Sequence, residues 1–430
     1  MKCGFYQREI TPPLGVDMPG YYTERLSTGV KDRLYAKAAV FANSDDPADK
    51  AAIVVVDTVL LTEEFCRPIA ERASRFTGIP AENVTVAVTH THRGLPTGDY
   101  TSVRDQQTMD VLVQMIADCI TLADQRLQEG CTVHYAKGKV EGISHVRDYR
   151  MTNGDVSTNA RYPEEIEAPL SEPDPDLPLL LVKDSKGRPL GGLYTYALHL
   201  DCIGGLEHSG DYPARLAEHF RRLYGQNFVC IYLAGFCGDI NHVDCITKTA
   251  VDFERIVRKL TAELTFLADH AQPMEGPVKA ASATLQIPRR WATEEELKRA
   301  EWVLEDPQNR KNRYHMLKKT EELMLEFHRL HPDRPAYQEI PVRVVRVGEV
   351  YLFALPGEIY HCFGDLLKAG CPGGKWLITE LANAEAGYIP DPALFNTSAY
   401  PVQLCHGSFL VPEAGQMMVD AALKLAEKLK

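Results

Sequence analysis

Two patterns of apolar residues alternate along the chain and predict strands and helices in turn. Short, nearly continuous apolar runs are typical of strands that are covered on both faces. They lie at about 34–43, 51–60, 84–89, 132–140, 177–182, 190–198, 228–233, 280–287, 339–346, 350–355 and 375–381. Apolar residues at helical spacing occupy about 62–78, 106–127, 245–270 and the end of the chain from about 412, and Ser209, Asp211 and Pro213 open a further helix that runs to Tyr224. This order predicts an α/β fold with mixed β-sheets surrounded by helices.

Two stretches depart from this pattern. Residues 292–331 are strongly charged, with apolar residues at helical spacing, and predict a pair of helices joined near Asp306-Pro307. Residues 141–172 are polar, contain prolines and acidic residues, and predict a long loop. Because no repeat or low-complexity tract divides the chain, we predict a single domain over 1–430 with a charged helical insertion at about 292–331.

Composition and charge limit the classes of partner and the cellular compartment that we expect for this protein. The formal net charge is -12 and no lysine/arginine tract is present, which argues against nucleic acid as a partner. No run approaches the roughly 18 apolar residues of a membrane span, and the N-terminus lacks the apolar run of a signal peptide. The 11 cysteines are scattered and typical of reduced thiols. We therefore expect a cytoplasmic protein. The sequence does not give its oligomeric state, and a homo-oligomer is one of the possibilities.

Side chains that can bind a metal follow four of the predicted strands. His90 and His92 end one strand, His199 follows another, Glu358 follows a third at a Pro-Gly turn, and Tyr388 comes after the last strand. In open α/β sheets, ligands collect outside the carboxyl ends of the strands. We therefore expect these strand ends to converge although they are far apart in sequence.

The residue types favour zinc, with alternatives left open for two of them. His90 and His92 are spaced i, i+2, so in extended backbone their side chains would point the same way. Two imidazoles and a carboxylate are a usual protein set for catalytic zinc. Glu358, however, is also predicted to enter a helix, where an acidic residue in the first turn needs no further role. Tyr388 is a rarer ligand, because a phenol has a pKa near ~10, and a protonated phenol can instead donate to an oxyanion.

A succession of short motifs resembles the N-terminal catalytic domain of neutral/alkaline (non-lysosomal) ceramidases. The motifs are Ile10-Thr-Pro-Pro-Leu-Gly, Asp32-Arg-Leu-Tyr-Ala, Thr89-His-Thr-His, Asp174-Pro, His199, Ser209-Gly-Asp-Tyr, Gly238-Asp-Ile, Pro356-Gly-Glu and Gly387-Tyr-Ile-Pro. Each motif is short, and their order over almost the whole chain makes the resemblance specific. The resemblance implies a neutral-ceramidase-like catalytic domain.

The same resemblance implies a zinc hydrolase. His90, His199, Glu358 and Tyr388 fall on the zinc ligands of the family, so Zn²⁺ is the implied cofactor. The implied reaction is hydrolysis of the amide of an N-acylsphingosine by a zinc-activated water. We expect His92 to transfer the proton, because the unperturbed pKa of histidine lies near neutrality. Arg147, which resembles the arginine of a family segment in that loop, or Tyr388 would stabilise the oxyanion.

Departures from the family motifs point away from ceramide itself. Asn241 stands where the family has a serine, Arg93 follows His92 in place of a serine, and Pro401 follows Tyr400 in place of a glutamate. We also expect no immunoglobulin-like C-terminal domain. We therefore predict a small-molecule or lipid-like acyl substrate, with short acyl chains preferred. The alternatives are an esterase or deacylase acting on a small polar substrate, and a non-catalytic, metal-stabilised binding protein.

Overall fold

Three larger β-sheets form the centre of the molecule, and helices cover their outer faces. The computed structural model describes residues 1–21, 23–97, 106–305 and 315–430. The described helices are α1 (Glu63–Thr77), α2 (Gln106–Asp124), α3 (Asp211–Tyr224), α4 (Phe253–His270), α5 (Glu294–Glu305), α6 (His315–Leu330), α7 (His361–Gly370) and α8 (Ala414–Lys428).

The strands are numbered in chain order. They are β1 (Lys2–Glu9), β2 (Gly29–Val30), β3 (Tyr35–Ala42), β4 (Lys50–Val56), β5 (Val84–Val88), β6 (Thr132–Lys139), β7 (His145–Val146), β8 (Asp148–Met151), β9 (Val156–Thr158), β10 (Ile166–Pro169), β11 (Asp176–Lys183), β12 (Pro189–Tyr196), β13 (Glu207–His208), β14 (Val229–Ala234), β15 (Ile240–Asn241), β16 (Val243–Asp244), β17 (Thr249–Ala250), β18 (Gln272–Met274), β19 (Val278–Pro288), β20 (Tyr337–Val347), β21 (Val350–Ala354), β22 (Glu358–Ile359), β23 (Trp376–Thr379) and β24 (Tyr388–Ile389).

Each of the three larger sheets is antiparallel except for one parallel pair at an edge. The first has the order β1-β3-β4-β5, the second β14-β12-β11-β6-β18 and the third β19-β20-β21-β23. The parallel pairs are β4 with β5, β12 with β14, and β21 with β23. The sheets are therefore mixed and surrounded by helices, which confirms the predicted fold class.

Burial on both faces explains why the strand sequences are continuous apolar runs. The inner faces of the three sheets share one core that includes Ile53, Leu193 and Leu352. The outer faces pack on different helices: the first sheet on α1 and α2, the second on α3 and α4, and the third on α7 and α8. Every residue of β4, β5 and β14 is buried in consequence.

The three parallel edges are joined by hydrogen bonds. The backbone N of Asn383, after β23, donates to the carbonyl of Val86 in β5 (2.7 Å), and Val86 N donates to Asn383 Oδ1 (3.1 Å). The hydroxyl of Thr195 in β12 donates to the carbonyl of Ile378 in β23 (2.9 Å). The strand ends that carry the predicted site residues therefore meet although they belong to separate sheets.

Two local predictions are wrong. The helix predicted from about 245 begins at Phe253, because the side chain of Asp252 caps it by accepting a hydrogen bond from Arg255 N, and β16 and β17 form a hairpin ahead of it. The polar stretch 141–172 is not a continuous loop, since it contains β7, β8, β9 and β10. Three of these form a small sheet with the order β10-β8-β9.

The charged stretch at 292–331 contains α5 and α6, as its helical spacing predicts. The predicted join at Asp306-Pro307 lies outside the described residues. A single domain with this segment as an insertion stays a prediction. None of the helices in the described part of the chain combines the length and apolarity needed to cross a membrane.

Candidate metal centre

His90 and His199 face each other through their Nε2 atoms. These two nitrogens lie 3.1 Å apart, and both side chains are buried. On the far side of each ring, Nδ1 lies 2.8 Å from the carbonyl oxygen of Val59 for His90 and 3.0 Å from that of Cys237 for His199. Because a carbonyl oxygen only accepts, each Nδ1 carries the proton and each Nε2 presents a lone pair.

Glu358 completes a triangle of electron-pair donors. Its Oε2 lies 3.6 Å from Nε2 of His90 and 3.6 Å from Nε2 of His199. This oxygen is buried and makes no hydrogen bond with the described residues. The lone pairs of His90 Nε2, His199 Nε2 and Glu358 Oε2 repel one another at these distances. A cation bound between the three atoms would remove this repulsion.

The separations fit zinc. Bonds of about 2.0–2.1 Å in a tetrahedral site place neighbouring ligand atoms about 3.3 Å apart. The observed separations of 3.1–3.6 Å between the three atoms agree with that value. Backbone carbonyls that hold the second nitrogen of each histidine are also typical of metal-binding imidazoles. His90, His199 and Glu358 can therefore hold a zinc ion.

His92 joins this group, but the backbone does not follow the predicted geometry. The nitrogens that His90, His92 and His199 offer lie within 4.8 Å of one another. The strand ends at Val88, and His90 has a left-handed φ of 68°, so the two motif histidines are not in extended backbone. The backbone is held instead by His92 N, which donates to Leu200 O (3.1 Å) next to His199.

His92 is buried with neither ring nitrogen in a hydrogen bond to the described residues. Its Nδ1 faces the backbone of Gly20, where an added Cβ would lie 2.5 Å away, and Tyr21 packs edge-on at 5.6 Å between ring centroids. Burial, together with the neighbouring His90 and Arg25, lowers the pKa of His92 well below its usual value. The ring is therefore neutral and has a free lone pair.

Tyr388 and Arg147 border the triangle. The Tyr388 hydroxyl is within hydrogen-bonding reach of Glu358 and Arg147. The guanidinium carbon of Arg147 lies 5.2 Å from the centroid of the Tyr388 ring. Burial raises the pKa of the Tyr388 phenol, against the effect of Arg147, and so favours the protonated phenol as a donor. Burial by itself would lower the pKa of Arg147. The neighbouring Tyr388 and Glu358 raise this pKa by more than burial lowers it, so the guanidinium is charged.

The segment after β14 closes this side of the site. Arg147 N donates to Asp239 O (2.9 Å), and the guanidinium of Arg147 donates to Gly238 O. Only a glycine fits at 238, because an added Cβ would lie 2.6 Å from Glu358 O. The side-chain oxygen of Asn241 accepts a hydrogen bond from His242 N (2.6 Å).

Glu358 does not enter a helix as predicted. It lies on β22, which pairs in parallel with β24, and α7 begins only at His361. The two strands have two residues each, too short to leave a periodic signal in the sequence. The structure nevertheless brings together all the predicted site residues, namely His90, His92, Arg147, His199, Glu358 and Tyr388.

The sequence interpretation missed one buried acidic residue beside the site. Glu380 follows β23, is fully buried, and accepts hydrogen bonds from Cys237 N (3.2 Å) and Ile359 N (2.8 Å). The available signal was a carboxylate directly after the apolar run Trp376-Leu-Ile-Thr. Such a group is costly to bury without hydrogen-bond partners.

Comparison with known proteins agrees with the fold. Residues 2–208 match the family model described as neutral/alkaline non-lysosomal ceramidase, N-terminal. No curated protein sequence matches the chain. Among solved structures, the crystal structure of neutral ceramidase from Pseudomonas aeruginosa is similar over 100% of this chain and 75% of its own, with 18% identity and a TM-score of 0.73. A ceramidase complexed with C2 has 17% identity, the same coverage and a TM-score of 0.74.

These similarities confirm the resemblance that the motifs indicate. At this level of identity, the solved structures show a shared fold alone. The family match covers the first part of the chain, including the histidine motif and His199. Residues 2–208 of this chain thus match the model of the neutral/alkaline non-lysosomal ceramidase family, N-terminal, and the whole chain has the neutral ceramidase fold.

Proposed function

We propose that this chain is a zinc-dependent hydrolase of the neutral ceramidase type that cleaves an acyl amide. The observation that carries the proposal is the triangle of His90 Nε2, His199 Nε2 and Glu358 Oε2, with separations of 3.1–3.6 Å. A structural zinc site usually closes with four Cys or His ligands. Two histidines and a glutamate are instead the set of a site that leaves room for substrate.

The chain's own residues would divide the work as follows. His90, His199 and Glu358 would hold zinc, with Tyr388 adjoining as a fourth ligand or as a donor. When bound, zinc polarises a carbonyl group and lowers the pKa of water. His92, which is buried and neutral, would accept a proton and return it to the leaving amine.

Arg147 supplies positive charge on the other side of the triangle. Its guanidinium is buried beside Tyr388 and cannot exchange its interactions for water. Fixed donors in such a water-poor site stabilise an oxyanion better than water does, because they need no reorganisation. Arg147 and Tyr388 would therefore stabilise the negative charge that develops on the substrate carbonyl oxygen.

An esterase or deacylase acting on a small polar substrate is the second candidate. This second candidate is favoured by the polar groups that lie on the side of His92 facing Gly20. Arg25 donates to His92 O (2.5 Å) and stacks on Tyr21 at 4.0 Å, and the Tyr21 hydroxyl donates to Asp201. Such groups can orient a polar substrate.

The test combines metal analysis with a substrate panel. Zinc per chain is measured by elemental analysis of the purified protein, and hydrolysis is measured for acyl amides, including ceramides, and for esters of the same acyl groups. Zinc near one per chain with amide hydrolysis supports the proposal. Ester hydrolysis alone would support the second candidate, whereas bound zinc without any turnover would indicate a metal-stabilised binding protein. Protein that binds no zinc would refute the metal site.

A further inference from the structure

Glu380 lies where the second and third sheets meet, beside the candidate metal centre. It directly follows β23, and its backbone N donates to the carbonyl of Ala234 at the end of β14 (2.8 Å). Its side chain is fully buried. Among the described residues no basic side chain forms an ion pair with it, so its carboxyl group depends on hydrogen bonds alone.

Those hydrogen bonds reach the chain segments of two proposed ligands. Oε2 of Glu380 accepts from Cys237 N (3.2 Å) and from Ile359 N (2.8 Å), and Oε1 accepts from Cys237 Sγ (3.0 Å). The carbonyl of Cys237 in turn accepts from Nδ1 of His199 (3.0 Å). Ile359 directly follows Glu358 on β22.

We propose that Glu380 is a positioning residue that sets the distance between His199 and Glu358. One oxygen atom of Glu380 accepts from both Cys237 N and Ile359 N, and Gly238 N donates to Ile359 O (2.9 Å) between the same two segments. Glu380 thus fixes the separation of the segment that orients the imidazole and the segment that carries the carboxylate together with one backbone hydrogen bond. The inference rests on the proposed zinc site. It assigns Glu380 no contact with substrate or metal.

Two substitutions of Glu380 that have similar volumes should have different effects on these hydrogen bonds. In Glu380→Gln, the amide oxygen can still accept from both N–H groups, while the amide nitrogen can donate to the sulfur of Cys237. In Glu380→Met, the side chain fills a similar volume but offers no comparable acceptor, so both N–H groups lose their partner. Glutamine should therefore preserve the position of the two segments, and methionine should not.

Thr195→Val provides a matched control. Thr195 also joins the second sheet to the third, since its hydroxyl donates to Ile378 O (2.9 Å), and it too is buried. It makes no hydrogen bond to the segments of Cys237 or Ile359 among the described residues. Thr195→Val should lower the free energy of unfolding without changing the affinity for zinc.

The experiment measures zinc affinity of the purified full chain by competition with a chromophoric chelator, and the unfolding midpoint in urea of the same samples. Loss of a group that orients metal ligands typically weakens affinity by about 10–100-fold. We expect a loss of that size in Glu380→Met and an affinity close to wild type in Glu380→Gln and Thr195→Val. If Glu380→Met does not fold, Glu380→Asp replaces it, because one methylene fewer prevents its carboxylate from reaching both N–H groups.

The outcomes separate this inference from the proposed function. If the wild-type chain binds no zinc, the metal site itself is refuted and the inference with it. If the wild type binds zinc and Glu380→Met, or Glu380→Asp in its place, binds equally well, only the role of Glu380 is refuted. Equal losses in the glutamine and methionine variants, or a loss in Thr195→Val as large as that in Glu380→Met, would also overturn it.

Discussion

Glu358 and Tyr388 lie directly opposite each other on the parallel strands β22 and β24. Glu358 N donates to Gly387 O (2.9 Å), and Tyr360 N donates to Ile389 O (3.1 Å), which fixes the register. This pairing brings a carboxylate and a phenol to the same side of the candidate metal centre. The phenol is therefore available either as a ligand or as a donor, and the two roles predict different behaviour.

Tyr388→Phe is expected to keep its zinc and lose activity. Removing one donor to a developing oxyanion typically lowers kcat by about 10²–10³. Zinc per chain and kcat are measured on the same preparation. Tyr400→Phe is the control, because its ring packs at 5.6 Å from that of Tyr388 and the substitution leaves the Tyr388 hydroxyl in place. If Tyr388→Phe also loses zinc, the phenol is a ligand.

His90→Ala and His199→Ala are each expected to lose both zinc and activity. With only two imidazoles and one carboxylate in the triangle, the remaining atoms cannot enclose the ion. Elemental analysis gives the zinc content, and His219→Ala, an exposed histidine on α3, is the matched control. Full zinc occupancy in both single variants would rule out the site described here.

His92→Gln is expected to retain zinc but lower kcat by about 10²–10⁴, which is the usual contribution of a positioned acid–base group. The geometry also allows the opposite result, since the nitrogens of His92, His90 and His199 lie within 4.8 Å of one another. Zinc content decides between the two roles. A variant without zinc would make His92 a ligand and leave the proton transfer to another group.

Short acyl chains are expected to be cleaved at least as well as long ones. Burying a methylene group contributes about 0.8 kcal/mol, so a site that binds a long acyl chain should show kcat/KM rising severalfold for every two methylenes. We expect a flat or falling dependence instead, because polar groups surround His92. The measurement is kcat/KM over a homologous series of acyl amides.

A steep rise with chain length, with ceramide as the best substrate, would contradict that expectation. The exposed side chains of Leu26 and Val30 lie on the same N-terminal segment as Gly20 and Tyr21 and would then be the first candidates for acyl-chain contact. In that case Leu26→Ser and Val30→Ser should reduce the slope of the series. They should leave the cleavage of the shortest amide unchanged.

The stability of the fold is expected to depend on pH through His361. Its Nδ1 lies 2.6 Å from Asp239 Oδ2, and both side chains are buried. Burial alone would lower the pKa of His361, but Asp239, together with Asp365 and Asp174, raises it above its usual value. The ammonium group of Lys368 also forms ion pairs with Asp174 and Asp365. Folded His361 therefore holds its proton more tightly than unfolded His361 does.

The sign of the effect follows from that raised pKa. The stabilisation is complete below the unfolded pKa of about 6.5 and is lost as the pH rises through the higher folded value. In urea unfolding, His361→Gln should be less stable than the wild type at pH 6, and the difference should shrink towards pH 9. His219→Gln is the exposed control. A difference that stays constant over this range would show that the proton on His361 contributes nothing.

Local sequence was enough to predict the types of element and to name the candidate site residues. Continuous apolar runs such as those of β4 and β14 predict strands covered on both faces, and both are fully buried. The motif residues His90, His199 and Glu358 could be named because each follows such a run. These signals are local, since hydrophobic period and chemical type are written in neighbouring residues.

How these residues meet could not be predicted from the sequence. The left-handed backbone at His90, the two-residue strands that pair Glu358 with Tyr388, and the bonds of Glu380 to Cys237 and Ile359 leave no periodic signal in the sequence. Each of these features is held by hydrogen bonds between segments that are far apart in the chain. A hydrogen bond of this kind exists only once three separate sheets have packed edge to edge, because that packing fixes both partners at the required distance.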